Sequence, residues 1–173
     1  EAIRAAVNTI EAKAAYDGDC HELFNRVALQ DRSIWYDLTD EKWRAVRMTS
    51  SGWQVINDPP ILFTRHDHQK SQVEPAKDGD VWRIFDFIPI TDENTQLLLL
   101  AYLISSFVPN IPHPVVVVHG PQGSGKSSVF RVIRRLIDPS ITETLSFPRE
   151  TNELIQKLSH HWFCPFDNVT SLQ

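Results

Sequence analysis

An α/β fold is predicted: a parallel sheet forming a partial core, preceded by a small β-rich antiparallel meander with an amino-terminal helix. Three observations predict it. The run VVVV at 115–118 leads through a glycine-rich loop into a helical stretch, the order expected where a buried parallel strand feeds a helix. Between 21 and 66, short runs rich in Val, Ile, Trp, Tyr and Phe alternate with polar breaks, a pattern of strands and turns. Residues 1–16 are rich in alanine, with Ile3, Val7 and Ile10 at helical spacing.

Each element follows from local chemistry. Gly18 is a natural stop for the first helix. Strands are expected over 24–29, 33–38, 43–49, 53–56 and 61–64, with breaks at QDR, TDE, SSG and DPP. The polar stretch DHQKSQVEPAKDGD at 67–80 reads as a linker. It divides the chain into an accessory unit, 1–80, and a second unit, 81–173. A short helix is expected at 82–87. Thr91 or Asp92 can cap a helix running through LLLLAYLISSF, apolar almost all round and so expected to be buried. After the strand at 115–118, a helix from Lys126 to Ile137 is stopped by Pro139. A strand at 142–147, a helix at about 149–159 with Pro148 in its first turn, and a final strand 162–167 complete the second unit.

Composition narrows the function classes. The formal net charge is -5, so nucleic-acid binding would need a local patch or the inner surface of an oligomer. Two distant cysteines, Cys20 and Cys164, make no disulfide framework and no zinc pattern. A reducing, cytoplasmic setting is expected. The amino terminus has neither the basic leader nor the apolar centre of a signal peptide. No apolar run approaches the length of a membrane span. The chain opens without methionine and closes on NVTSLQ, which reads like the interior of a longer protein. A second unit truncated at its carboxyl-terminal end is therefore expected.

One motif carries chemistry. GPQGSGKS at 120–127 satisfies G-x-x-x-x-G-K-[ST], between a predicted strand and a predicted helix. This makes the parallel sheet that of a P-loop NTPase. Triphosphates need many donors at short range. Gly120, Pro121, Gln122, Gly123, Ser124 and Gly125 supply a loop whose amides can turn toward phosphate, the glycines avoiding Cβ clashes. The helix that follows presents its positive dipole end through Lys126, Ser127 and Ser128. Lys126 is expected to reach the β- and γ-phosphates, and Ser127 to give a hydroxyl to Mg²⁺. ATP with Mg²⁺ is the expected ligand pair. Farther on, the apolar run WFCPFD ends at Asp167. It fits in part a Walker B strand whose carboxylate holds Mg²⁺, although Pro165 removes a ladder hydrogen bond.

The stretch IPHPVVVVHGPQGSGKSSVFRVIRRLIDPS, with HHWFCPFDNVTSL after it, is similar to ATPase modules of bacterial and mobile-element proteins related to primase–helicases, which resemble superfamily 3 helicases. The upstream stretch HELFNRVALQDRSIWYDLTDEKWRAVRMTSSGWQVINDPPILF resembles the segment ahead of that module. The resemblance implies a ring-forming, ATP-driven homo-oligomeric motor on DNA, acting in replication or mobile-element maintenance. It also implies that Lys126, Ser127 and Asp167 take the phosphate and metal roles. Asn168 stands where such motors place a second acidic residue, leaving the catalytic base unassigned. The sensor asparagine and arginine finger would lie beyond Gln173. Two other readings use the same loop: a nucleotide or small-molecule kinase, and an ATP-gated regulatory or assembly module without turnover.

Weaker signals have plainer readings. Arg131, Arg134 and Arg135 read as a solvated helix face rather than a DNA-facing patch. Arg65-His66-Asp67-His68 reads as a surface turn, and His160-His161 as a helix end favoured by the dipole. Trp35, Tyr36, Trp43 and Trp53 could stack on single-stranded bases, but aromatics at such positions mostly fill a small β core.

Overall fold

The computed structural model describes residues 2–169. Glu1 and residues 170–173, the end of the segment that carries the resemblance, lie outside them. The chain is a mixed α/β structure with antiparallel and parallel pairs.

Helix α1 (Ala2–Asp17) contributes no buried residue. The meander follows as β2 (Val27–Gln30), β3 (Ser33–Asp37), β4 (Ala45–Thr49) and β5 (Gly52–Ile56), in sheet order β2-β3-β4-β5. It is antiparallel throughout, with Tyr36 opposite both Val27 and Val46. The run expected as one strand at 24–29 is instead split. Its start, β1 (Leu23–Phe24), pairs parallel with β6 (Leu62–Phe63). The split falls at Arg26, whose φ of 63° lies in the left-handed region and cannot continue a ladder.

Period-two alternation gives the meander two apolar faces. One buries Ala28, Trp35 and Ala45 under Ile61 and Phe63. The other buries Val27, Tyr36, Leu38 and Val46 and meets Phe107 and Trp162 of the second unit. Trp35 and Tyr36 therefore are core residues, as expected. Trp43 and Trp53 are not: Trp43 is 57% exposed, with the Arg65 guanidinium 3.9 Å above its ring.

The stretch expected as a linker is bonded along its first half. Lys70 N donates to Pro139 O, Ile141 N to His68 O, and Gln72 Nε2 to Arg135 O and Leu136 O. A 3₁₀ turn at Val81–Asp86 is capped by Asp80. Helix α2 (Glu93–Ser105) starts at Asp92, whose carboxylate accepts from Thr95 N. Only one side of α2 is buried. Leu99, Leu100 and Leu103 pack with Ile84, Ile88, Ile133 and Ile137, while Leu98 stays 70% exposed. The expectation of a fully buried helix fails because a single packed layer covers one face alone.

Helix α3 (Lys126–Ile137) has the predicted bounds. It is followed by β7 (Leu145–Ser146), α4 (Thr151–His160) and β8 (Phe166–Asp167), with β7 and β8 parallel. The central strand expected at 115–118 does not form. Val115 and Val117 are 89% and 76% exposed, and no strand pairing includes the run. β-Branched side chains favour extended backbone, but a strand also needs a partner ladder. Here β8 is paired on one side by β7, and its other side faces a cavity of about 1220 Å³ that the valine run also lines.

Candidate functional site

The glycine loop and β8 come together at the amino end of α3. Gly123 and Gly125 sit at φ 81° and 82°, a conformation that strains any residue with a Cβ. Gly125 is the N-cap of α3, with no side-chain cap, so the first amides of the helix have no intrahelical partner and point outward. A Cβ on Gly120 would lie 2.9 Å from Ser124 Oγ. Pro121, Gln122, Ser124 and Ser128 are exposed, while Lys126 and Ser127 are half-buried.

Lys126 folds over the loop. Its ammonium donates to Gly120 O at 2.9 Å and Pro121 O at 2.8 Å. Ser127 Oγ donates to Asp167 Oδ2 at 2.7 Å, so the structure brings together two residues 40 apart in sequence that the motif reading pairs. The other carboxylate oxygen accepts from Asn168 N at 2.9 Å, and Asn168 turns the chain at φ 56°. The final strand is shorter than expected, because Pro165 has no N–H to give. Its carbonyl still accepts from Leu145 N at 2.9 Å. Lys126 and Asp167 stand on the cavity wall with Phe130, Phe147 and Phe166: two opposite charges beside an apolar surface.

The two oxygens suit Mg²⁺. In an octahedron with bonds of about 2.0–2.1 Å, neighbouring ligands stand roughly 3 Å apart, and Mg²⁺ keeps several waters beside one or two protein ligands. Ser127 Oγ and Asp167 Oδ2 are close to that spacing. Among the described residues, no group of three or more His, Cys, Asp and Glu is placed to hold a metal.

Sequence reasoning misplaced one of the three arginines of α3. Arg131 and Arg135 are surface residues paired with Glu143. Arg134 is 1% exposed, donating to Phe163 O and to His161 Nδ1. Helical spacing could have separated it: Arg134 lies four residues after Phe130 and three before Ile137, beside the apolar face, whereas Arg131 and Arg135 fall opposite. Asp138, fully buried at the end of the same helix, accepts from Trp162 N and Phe163 N and pairs with Arg26 Nε at 3.0 Å.

The two histidine motifs, read separately as a turn and a helix end, pack against each other, His66 stacked on His160 and His68 tilted against His161. His66 lies 4.4 Å from His160, and His68 lies 3.9 Å from His161, between ring centroids. Since an arginine can only donate, His161 Nδ1 must accept, and the ring is neutral with its proton on Nε2. Burial, then His68 and Arg134, push the His161 pKa down from 6.5 to about 4, with His160 adding to the effect and Asp138 opposing it. Burial also lowers His66 and His68. The folded pKa of His161 is depressed, so its contribution to stability is present above about pH 6.5 and lost as pH falls through about 4. Denaturant unfolding across that window should show falling stability, and His161→Gln should flatten the fall. An identical slope in the variant would remove His161 as its source.

No helix among the described residues is long and apolar enough to cross a membrane. No curated protein and no solved structure matches the chain. A family model described as actinomycete integrative conjugative element replication protein matches residues 81–173, more than half of the chain. The match contains the glycine loop, Arg134, Asp138 and Asp167. The chain belongs to this family of mobile-element replication proteins.

Proposed function

We propose that this chain is the nucleotide-binding module of its replication protein, taking ATP with Mg²⁺ at the loop 120–127, and that the complete protein hydrolyses ATP as a helicase-like, ring-forming motor on DNA. The observation that carries the reading is the contact of Ser127 with Asp167 at 2.7 Å beside the Lys126 ammonium. A fold that merely needed a tight turn would have no reason to set a hydroxyl and a carboxylate together there.

The roles follow from chemistry. The outward amides of the loop and of the first turn of α3 receive phosphate oxygens. Lys126 exchanges its two carbonyl acceptors for the β- and γ-phosphates, a stronger charge-assisted contact. Ser127 Oγ and the Asp167 carboxylate would hold Mg²⁺, which would supply charge neutralisation to the phosphates. Phe130, Phe147 and Phe166 give the site an apolar wall. Asn168 in place of an acidic neighbour gives no general base, so the base and the arginine of a motor must come from elsewhere in the assembly. This supports a second reading, an ATP-gated assembly module without turnover.

Titration with a Mg²⁺-bound, slowly hydrolysed ATP analogue, reading affinity and mass together, tests the proposal. Saturable binding with growth to a ring-sized species is expected. Absence of binding would overturn the nucleotide reading, and binding by a persistent monomer would overturn ring assembly by this chain. Assembly without phosphate release in the presence of DNA would favour the gated module.

A further inference from the structure

Helix α3 touches the segment that leads to Asp167 at two places. At the first, Ser127 Oγ donates to Asp167. At the second, Arg134 donates from one nitrogen to Phe163 O at 2.5 Å and from another to His161 Nδ1 at 2.9 Å. Seven residues separate Ser127 from Arg134, close to two helical turns, so both project from one face about 10 Å apart along the axis. Phe163 and Asp167 are four residues apart, about 13 Å if extended. The segment therefore runs back along α3 and is fastened at both ends. Asp138, one turn beyond Arg134, strengthens the second fastening by accepting from Trp162 N and Phe163 N at 3.1 and 3.2 Å.

We propose that Arg134 is a positioning residue for the nucleotide site, acting through the backbone of residues 161–163 to set where Asp167 stands relative to Ser127. The inference rests on the nucleotide reading given above. Two observations carry it. First, β8 is two residues long and among the described residues is paired by β7 alone, so the ladder by itself is a weak support for a carboxylate whose place must be right to a fraction of an ångström. Second, Arg134 is an expensive residue in its place. Among the described residues its Nε is buried without a hydrogen-bond partner, and an apolar side chain of similar volume would avoid that cost. An apolar side chain cannot aim two donors in a fixed fork at two acceptors on one segment.

The test compares the native chain with Arg134→Met and Arg134→Lys. One readout is the gain in affinity for the ATP analogue when EDTA is replaced by Mg²⁺. The other is hydrogen exchange of the amides at 166–168, where Asn168 N is bonded to Asp167. In Arg134→Met, affinity in EDTA should stay within about twofold, while the Mg²⁺-dependent gain falls about tenfold, the usual scale for groups supporting a metal ligand. Exchange should accelerate at 166–168 and not in the meander. Arg134→Lys keeps the charge but reaches one acceptor, and should fall between. An unchanged Mg²⁺ gain in a folded Arg134→Met protein, or acceleration spread evenly over the chain, would overturn the proposal and leave Arg134 as packing alone. Should Arg134→Met not fold, a full Mg²⁺ gain in Arg134→Lys would overturn it equally. If the native chain binds no nucleotide, the functional reading fails, and exchange at 166–168 still decides whether Arg134 positions Asp167.

Discussion

Lys126→Ala should weaken binding of the Mg²⁺-bound ATP analogue by roughly 30- to 5,000-fold. Truncating one partner of a desolvated charged contact costs about 2–5 kcal/mol, and each 1.4 kcal/mol is tenfold in affinity. The fold should survive. Among the described residues the ammonium donates to Gly120 O and Pro121 O, both in an exposed loop, and the core cluster beside α3 begins with Val129 and Ile133. Calorimetric titration gives the affinity and thermal melting checks the fold. An unchanged affinity in a folded variant would remove the loop from the nucleotide site.

Arg26→Met should destabilise the chain by about 3–5 kcal/mol, the cost of leaving a buried charge without its partner. For a chain of this length that lowers Tm by roughly 6–20 °C. Arg26 and Asp138 are both fully buried. The guanidinium also donates to Asp37 O, Thr39 Oγ1, Lys70 O and Pro139 O. That set of acceptors holds a non-glycine residue in the left-handed region, which by itself disfavours the position by about 1–2 kcal/mol. Adding Asp138→Asn should recover part of the loss, since the amide oxygen can still accept from Trp162 N and Phe163 N. A single-variant loss below about 1 kcal/mol would show that other contacts fix this junction.

Much of the local structure was legible because its causes are local. Gly125 and Pro139 bracket α3, and QDR, TDE and SSG separate the strands of the meander. The glycine spacing and Lys126 stand side by side in sequence, and Asp167 could be found because an acidic residue closes an apolar run. What could not be read depends on distant partners. Arg26 breaks a strand on account of acceptors as far away as residue 139. Helical spacing sets Arg134 beside the apolar face, but the carbonyl for which it is buried lies 29 residues on. The valines at 115–118 carry strand propensity, but whether a strand forms depends on a neighbouring ladder, which propensity does not contain. The histidines looked inert for the same reason, each pair lacking in sequence the other pair against which it packs.

The contacts along residues 134–141 have a consequence for what counts as a unit. The region matched by the family begins at residue 81, yet the end of α3 and the loop after it take bonds from Arg26, Tyr36, Lys70 and Gln72 and give one to His68 O. Shared ancestry and cooperative melting thus draw their borders in different places. Cutting the chain at the edge of the recognisable region would strand Asp138 without its counter-charge and strip several carbonyls of their donors. Any redesign of the first eighty residues that keeps this fold has to supply a cation against Asp138 and donors for the carbonyls of residues 135–137 and 139.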